Sequence, residues 1–263
     1  MRWGGDFRAL LLLFFAPAVA YSVILDNGII SAVVQSVGIT SITSSVTGKF
    51  DVSGDDFLVQ MEGTILTPKT LPTPKLSQND TTVQLVFSTS SMDVEVTYQL
   101  RSGASFVEKR ISFKQSSSER TTTARRNITQ LCLFNQTVVT VQGSTAASSH
   151  TASSHYGLKD YVLFQRWKSV GAMFTVQNPY LDASADHHGA TLCYSPNINW
   201  IQGQEFSVDP GLLGVHQLEG RILEPPADPL DTAEQAAMTD ALVMYLAVPQ
   251  DPKRTIKVCR LVV

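Results

Sequence analysis

Between Met92 and Phe113 the chain alternates apolar and polar residues twice, with a turn between, and this pattern limits its fold more than any other. Met92-Asp93-Val94-Glu95-Val96-Thr97-Tyr98-Gln99-Leu100 has the period of two expected of a half-buried strand. Arg101-Ser102-Gly103-Ala104 reads as a turn, and Phe106 to Phe113 as a second strand with Val107, Ile111 and Phe113 on one face. Val83 to Phe87, just upstream, is placed to pair antiparallel with them. Shorter runs rich in Val, Ile, Thr and Phe recur along the chain: Val23–Leu25, Ile29–Val34, Phe57–Met61, Ile128–Phe134, Val138–Val141, Tyr161–Phe164, Gly171–Val176, Leu242–Val248 and Ile256–Val263. So many short strands, separated by Ser, Gly, Asn and Pro, predict an all-β fold: one large antiparallel sandwich over 21–263.

One short helix is expected near 232–240, where Thr232 and Gln235 have capping-box spacing. Thr67–Asn79, with three prolines, and Gly143–Ser154, rich in Ser, Ala and Thr, read as loops. The 26 Ser and 24 Thr outnumber the 43 charged residues, as suits Thr on exposed strand faces and Ser in turns. A net charge of -3 excludes nucleic-acid binding through a basic surface, and 43% hydrophobic residues exclude a disordered chain.

Residues 1–20 read as a secretory signal peptide. Arg2 and Arg8 precede the apolar run Ala9–Phe15, and Ala18 and Ala20 have the spacing a signal peptidase needs. The run is about half the ~20 residues that cross a bilayer, and no later segment of the sequence is apolar enough to span one. Secretion fits three N-glycosylation sequons, at Asn79, Asn127 and Asn135, of which Asn79, after a Pro-rich stretch, is the favoured acceptor. In an oxidising compartment Cys132, Cys193 and Cys259 allow one bridge and one free thiol, and three pairings are open.

No motif names a reaction. Asp186-His187-His188 is the densest polar cluster, but neighbouring strand residues point to opposite faces, so it reads as a solvated loop rather than a metal site. His150 and His155 have the same reading. A Gly-x-Ser-x-Gly elbow, a Walker sequence and a dinucleotide fingerprint are absent from the sequence, and neither metal nor cofactor is expected. The candidate ligand-binding residues are Arg166, Trp167, Asn178, Tyr180, Trp200 and Gln202. An indole can stack on the C–H face of a sugar while amide and guanidinium groups bond its hydroxyls. The competing reading of Trp167 and Trp200 is that they are core residues.

Several segments resemble the galactose mutarotase-like β-supersandwich. Asp26-Asn27-Gly28-Ile29-Ile30 is similar to its opening strand, followed by Gly38–Ile42 and a turn at Thr47-Gly48. The hairpin Val96–Leu100 and Phe106–Ile111 is similar to its central hairpin, and Val170–Tyr180 to a later core strand. The resemblance spans most of 22–263. It implies a sugar-handling fold, used as the N-terminal domain of glycoside hydrolases and as stand-alone epimerases. The epimerases' acid His usually follows an Asn. This sequence has no Asn-His pair, no Glu matches their base, and after one supersandwich no room is expected for a catalytic barrel. The expectation is therefore a secreted carbohydrate-binding glycoprotein, non-catalytic alone. An epimerase, isomerase or other carbohydrate-active enzyme would instead bring His187 or His216 against Glu205 or Glu219. An extracellular protein-interaction domain would show an apolar patch and no polar groove.

Overall fold

The computed structural model describes residues 21–115, 125–152, 162–178, 181–186, 189–201 and 204–218. The signal segment, the expected helix at 232–240, the strands expected after 241, Tyr180, His187, His188, Gln202 and Cys259 lie outside them.

Alternation becomes architecture directly. The strands β1 (Ser22–Asp26), β2 (Ile30–Gln35), β3 (Gly38–Ser44), β4 (Gly48–Ser53), β5 (Asp56–Met61) and β6 (Thr64–Leu66) come first. They are followed by β7 (Lys75–Gln78), β8 (Thr82–Ser88), β9 (Met92–Gln99), β10 (Phe106–Gln115), β11 (Arg125–Val141) and β12 (Ser148–Ala152). Then come β13 (Val162–Arg166), β14 (Val170–Val176), β15 (Asp182–Asp186), β16 (Gly189–Tyr194), β17 (Ile198–Ile201), β18 (Phe206–Ser207) and β19 (Gly211–Gln217). A ten-stranded sheet runs β1-β2-β3-β4-β11-β16-β15, with β5, β6 and β17 joined at its side. A nine-stranded sheet runs β12-β13-β14-β19-β10-β9-β8-β7, with β18 on β10. Every strand pair recorded in both sheets is antiparallel, and the two sheets enclose one core.

The inner faces follow the period of two. Val83, Leu85 and Phe87 on β8, Val94, Val96 and Tyr98 on β9, and Ile111 and Phe113 on β10 are all buried. They meet Phe50, Phe57 and Phe134 from the other sheet in one hydrophobic cluster. Phe57 packs edge-on against Phe87 at 5.7 Å, and Phe134 against Phe174 at 5.3 Å, a geometry that the ring quadrupoles favour.

The all-β sandwich and the central hairpin are as the sequence predicts; three local readings are corrected. The loop expected over 67–79 contains β7, which pairs with β8, and the loop expected over 143–154 contains β12, which pairs with β13. Both strands are short and polar, so pairing to a neighbour makes them strands, not their own patterning. The two strands expected at 128–134 and 138–141 are one strand, β11, whose register shifts between Cys132 and Thr137. Those bulges hide the period while the backbone runs on.

Asn27 joins the two layers. Its amide Nδ2 donates to the carbonyls of Arg101 (2.7 Å) and Ala104 (2.8 Å) in the β9–β10 turn, while its Oδ1 accepts from the N–H groups of Ile29 and Ile30. Asn27→Ala removes all four contacts and leaves half-buried backbone groups unpaired. An unsatisfied group costs about 1–3 kcal/mol, so a loss of roughly 2 kcal/mol is expected in urea unfolding. An unchanged midpoint would show that water replaces the side chain fully.

Candidate functional site

The face of β8, β9 and β10 that points away from the core carries a dense polar array. It follows from the same alternation: with Val, Leu, Ile and Phe turned inward, Gln84, Asp93, Glu95, Thr97, Gln99, Glu108, Arg110, Ser112 and Lys114 must turn outward. The register sets them in rows across the strands. Asp93 stands beside Lys114, Glu95 beside Ser112, Thr97 between Gln84 and Arg110, and Gln99 beside Glu108. Beyond β10, Ser207 on β18 continues the Glu95–Ser112 row.

Two charge clusters organise this face. In one, Glu108 is nearly buried and receives Arg101 on Oε2 and Arg110 on Oε1, each at 2.8 Å, with both guanidinium groups about one-third exposed. In the other, Lys114 Nζ donates to Glu95 Oε2 at 3.1 Å and lies 3.6 Å from Glu205 Oε1. Glu95 Oε1 accepts from Gln84 Nε2 (3.1 Å) and Thr97 Oγ1 (3.3 Å). The hydrogen bond to Glu95 is the main cause that holds the Lys114 ammonium above its usual pKa range, so it is charged at neutral pH. Asp93 Oδ1 and Ser207 Oγ, on either side of this cluster, are shielded from solvent and bonded to nothing. Buried polar atoms are nearly always paired, so these two mark unmet hydrogen-bonding capacity.

A second polar group lies in the core between the sheets. Lys109 and Asp55 have fully buried side chains, with Nζ 2.6 Å from Oδ1. Nζ also donates to the Asp55 carbonyl at 3.1 Å, and Asp55 Oδ2 accepts from the Ile39 N–H at 3.0 Å. The Tyr98 hydroxyl bonds the same carboxylate. Burial first, and the Asp55 charge second, push this phenol well above its usual pKa. Nζ sits 5.1 Å from the Phe134 ring centre and 5.9 Å from that of Tyr98, within cation–π reach. Gly38 is required here: its φ is +100°, and a Cβ would stand 2.7 Å from Asp55 Oδ2. No sequence motif marks Lys109 as a functional residue. Its signal was phase: Val107, Lys109, Ile111 and Phe113 share one strand face, and the other three are apolar.

Of the residues singled out from the sequence, the four described ones, Arg166, Trp167, Asn178 and Trp200, are buried or paired within the protein. Trp167 is 6% exposed, donates Nε1–H to the Ser144 carbonyl (2.9 Å) and meets Phe50 edge-on. Trp200 is 2% exposed, donates to the Gln204 carbonyl (2.8 Å) and packs on Phe113. The stacking role expected of these indoles gives way to the core role, because their faces are packed and their N–H groups satisfied. Arg166 is buried on β13, and Asn178 donates Nδ2–H to Asp209 Oδ2 at 2.8 Å beyond the end of β14. Tyr180 and Gln202 lie outside the described residues.

His150, expected in a loop, is on β12 with its ring stacked on Phe164, and Phe164 meets His216 edge-on. His216 and Glu205 do not meet. His216 pairs with Gly171 beyond the Phe106 end of β10, whereas Glu205 lies against Lys114 at the other end. At ~3.3 Å per residue these ends are roughly 26 Å apart. Among the described residues, no three His, Cys, Asp or Glu side chains group to hold a metal ion, and no helix is long and apolar enough to cross a membrane.

Cys132 and Cys193 form a disulfide between β11 and β16, where they are register partners. Asn79 is exposed in the β7–β8 turn, its Oδ1 accepting from the Thr81 N–H at 3.1 Å. Asn127 and Asn135 are half-buried on β11, and Asn127 Oδ1 is enclosed without a partner.

No family model and no curated protein matches the sequence. Several solved structures are similar. A galactose mutarotase-related enzyme from Lactobacillus acidophilus aligns over 77% of this chain and 100% of its own, at 9% identity and a TM-score of 0.45. A putative aldose 1-epimerase from Escherichia coli K12 covers 75% of this chain and 99% of its own, at 12% identity and a TM-score of 0.39. The GH36 α-galactosidase AgaA from Geobacillus stearothermophilus, solved with raffinose, covers 75% of this chain and 41% of its own, at 10% identity and a TM-score of 0.39. No residue role is transferred from these proteins to this chain.

Proposed function

We propose that this chain is an exported glycoprotein whose outward β8–β10 face binds carbohydrate, without turning it over by itself. The observation that carries the reading is the Lys114 cluster. An ammonium and the carboxylates of Asp93 and Glu95 stand in adjacent rows with the hydroxyls of Ser112 and Ser207, and Glu205 approaches the same ammonium at 3.6 Å. Vicinal sugar hydroxyls each donate one hydrogen bond and accept others, so they fit a surface where donors and acceptors alternate at strand spacing. Charge-assisted hydrogen bonds are the stronger ones such a face can offer.

The disulfide supports export, since such bridges persist in oxidising compartments. The exposed Asn79 turn supports N-glycosylation at that sequon, while strand pairing and the enclosed Oδ1 of Asn127 weigh against a glycan there.

A glycan array on the secreted protein, followed by calorimetry on the best ligand, tests the binding reading. Asp93→Ala and Lys114→Ala should each weaken binding about tenfold, the loss of one charge-assisted hydrogen bond at roughly 1.4 kcal/mol. An array with no bound glycan, or affinity indifferent to both substitutions, would overturn it.

A further inference from the structure

The Lys109–Asp55 contact sets an amine directly against a carboxyl group, the two partners of a condensation as well as of an ion pair. We propose that Lys109 Nζ and Asp55 Cγ join in an isopeptide bond that ties the two sheets together covalently. Three features carry this. The amine and the carboxylate are in contact at 2.6 Å with both side chains fully enclosed. The shell around them is aromatic, from Phe134 and Tyr98. The second carboxylate oxygen is held by the Ile39 N–H at 3.0 Å, with the Tyr98 hydroxyl bonded to the same carboxylate.

The chemistry balances within the pair. Nζ passes one proton to Oδ1 across the 2.6 Å contact, giving a neutral amine and a carboxylic acid. The amine attacks Cγ, and the negative charge that develops on Oδ2 falls where the Ile39 N–H already points, with the Tyr98 hydroxyl bonded to the same carboxyl, as in an oxyanion hole. A second proton moves from the nitrogen to Oδ1, the Cγ–Oδ1 bond breaks, and Oδ1 leaves as water. The nitrogen keeps one hydrogen, Oδ2 becomes the amide carbonyl oxygen, and no oxidant or reductant takes part. Fixed contact between the two groups replaces the entropy an encounter would require. The bond would link β10 of one sheet to the β4–β5 connection of the other, across 54 residues.

Intact mass spectrometry of the secreted, deglycosylated protein decides the matter, with the disulfide counted. The expected mass is lower than the sequence mass by one water, and protease digestion should yield a branched peptide joining residues 55 and 109. Asp55→Asn should lose one ammonia instead, by the same attack, and Lys109→Arg should lose nothing. A wild-type mass equal to the uncondensed chain overturns the proposal. So does a missing water with no branched peptide between these two residues. Neither wild-type readout depends on a variant that folds.

Discussion

Lys109→Met is expected to lower the unfolding free energy by about 3–5 kcal/mol, because it strands the Asp55 carboxylate in the core without its counter-charge. Asp55→Leu should cost a similar amount, about 3–5 kcal/mol, by stranding the ammonium. The physical reason lies in an asymmetry. The intact pair recovers its desolvation through short contacts: Nζ reaches Oδ1 and the Asp55 carbonyl, and Oδ2 reaches Ile39 N–H. Either half alone keeps the desolvation penalty and loses the recovery. The double variant, Lys109→Met with Asp55→Leu, replaces both charges with apolar volume and should regain most of the lost stability. Urea unfolding of the four proteins measures this. Single variants with wild-type midpoints, or a double variant no better than either single one, would refute the account. These figures treat the contact as an ion pair; with the covalent bond in place, the double variant too would lose the cross-link over 54 residues and would stay below wild type.

The second large effect concerns the bridge between β11 and β16. Cys132 and Cys193 are 61 residues apart in the chain, and in the loop-entropy account closing a loop of that length restricts the unfolded state by about 4 kcal/mol. Cys132→Ala with Cys193→Ala should therefore unfold at clearly lower urea than wild type, and wild type in dithiothreitol should approach the variant. If reduction leaves the midpoint where it was, either strand pairing alone holds β11 to β16 or the unfolded chain is already compact.

Alternation shows most of the fold because a period of two needs only neighbours to be read. β9 and β10 were legible for that reason, and so were the inner residues Val94, Val96, Ile111 and Phe113. β7 and β12 were not, because Lys75–Gln78 and Ser148–Ala152 have little apolar pattern of their own and become strands only beside β8 and β13. β11 read as two strands because its bulges shift the phase near Phe134. The indoles of Trp167 and Trp200 resemble a sugar platform in sequence, where aromatic residues stand among polar ones. Only packing against Phe50 and Phe113 turns them inward.

The candidate binding face stood midway. Its members could be named from alternation, since Glu95, Thr97 and Gln99 must oppose Val94, Val96 and Tyr98. Their neighbours could not be named, because strand register depends on which strands pair. Register brought Lys114 to Asp93, and the β18–β10 pairing brought Ser207 into the Glu95–Ser112 row.

By itself the sequence determined the class: an all-β chain with a hairpin at its centre, whose inner and outer residues can be told apart one by one. That much follows from the pleat, which depends only on sequence neighbours. Tertiary structure alone decided which of three cysteines pair, that Lys109 meets Asp55, and that the two indoles are core. These are contacts between residues tens of positions apart, and only the packing of one sheet on the other brings them within bonding distance.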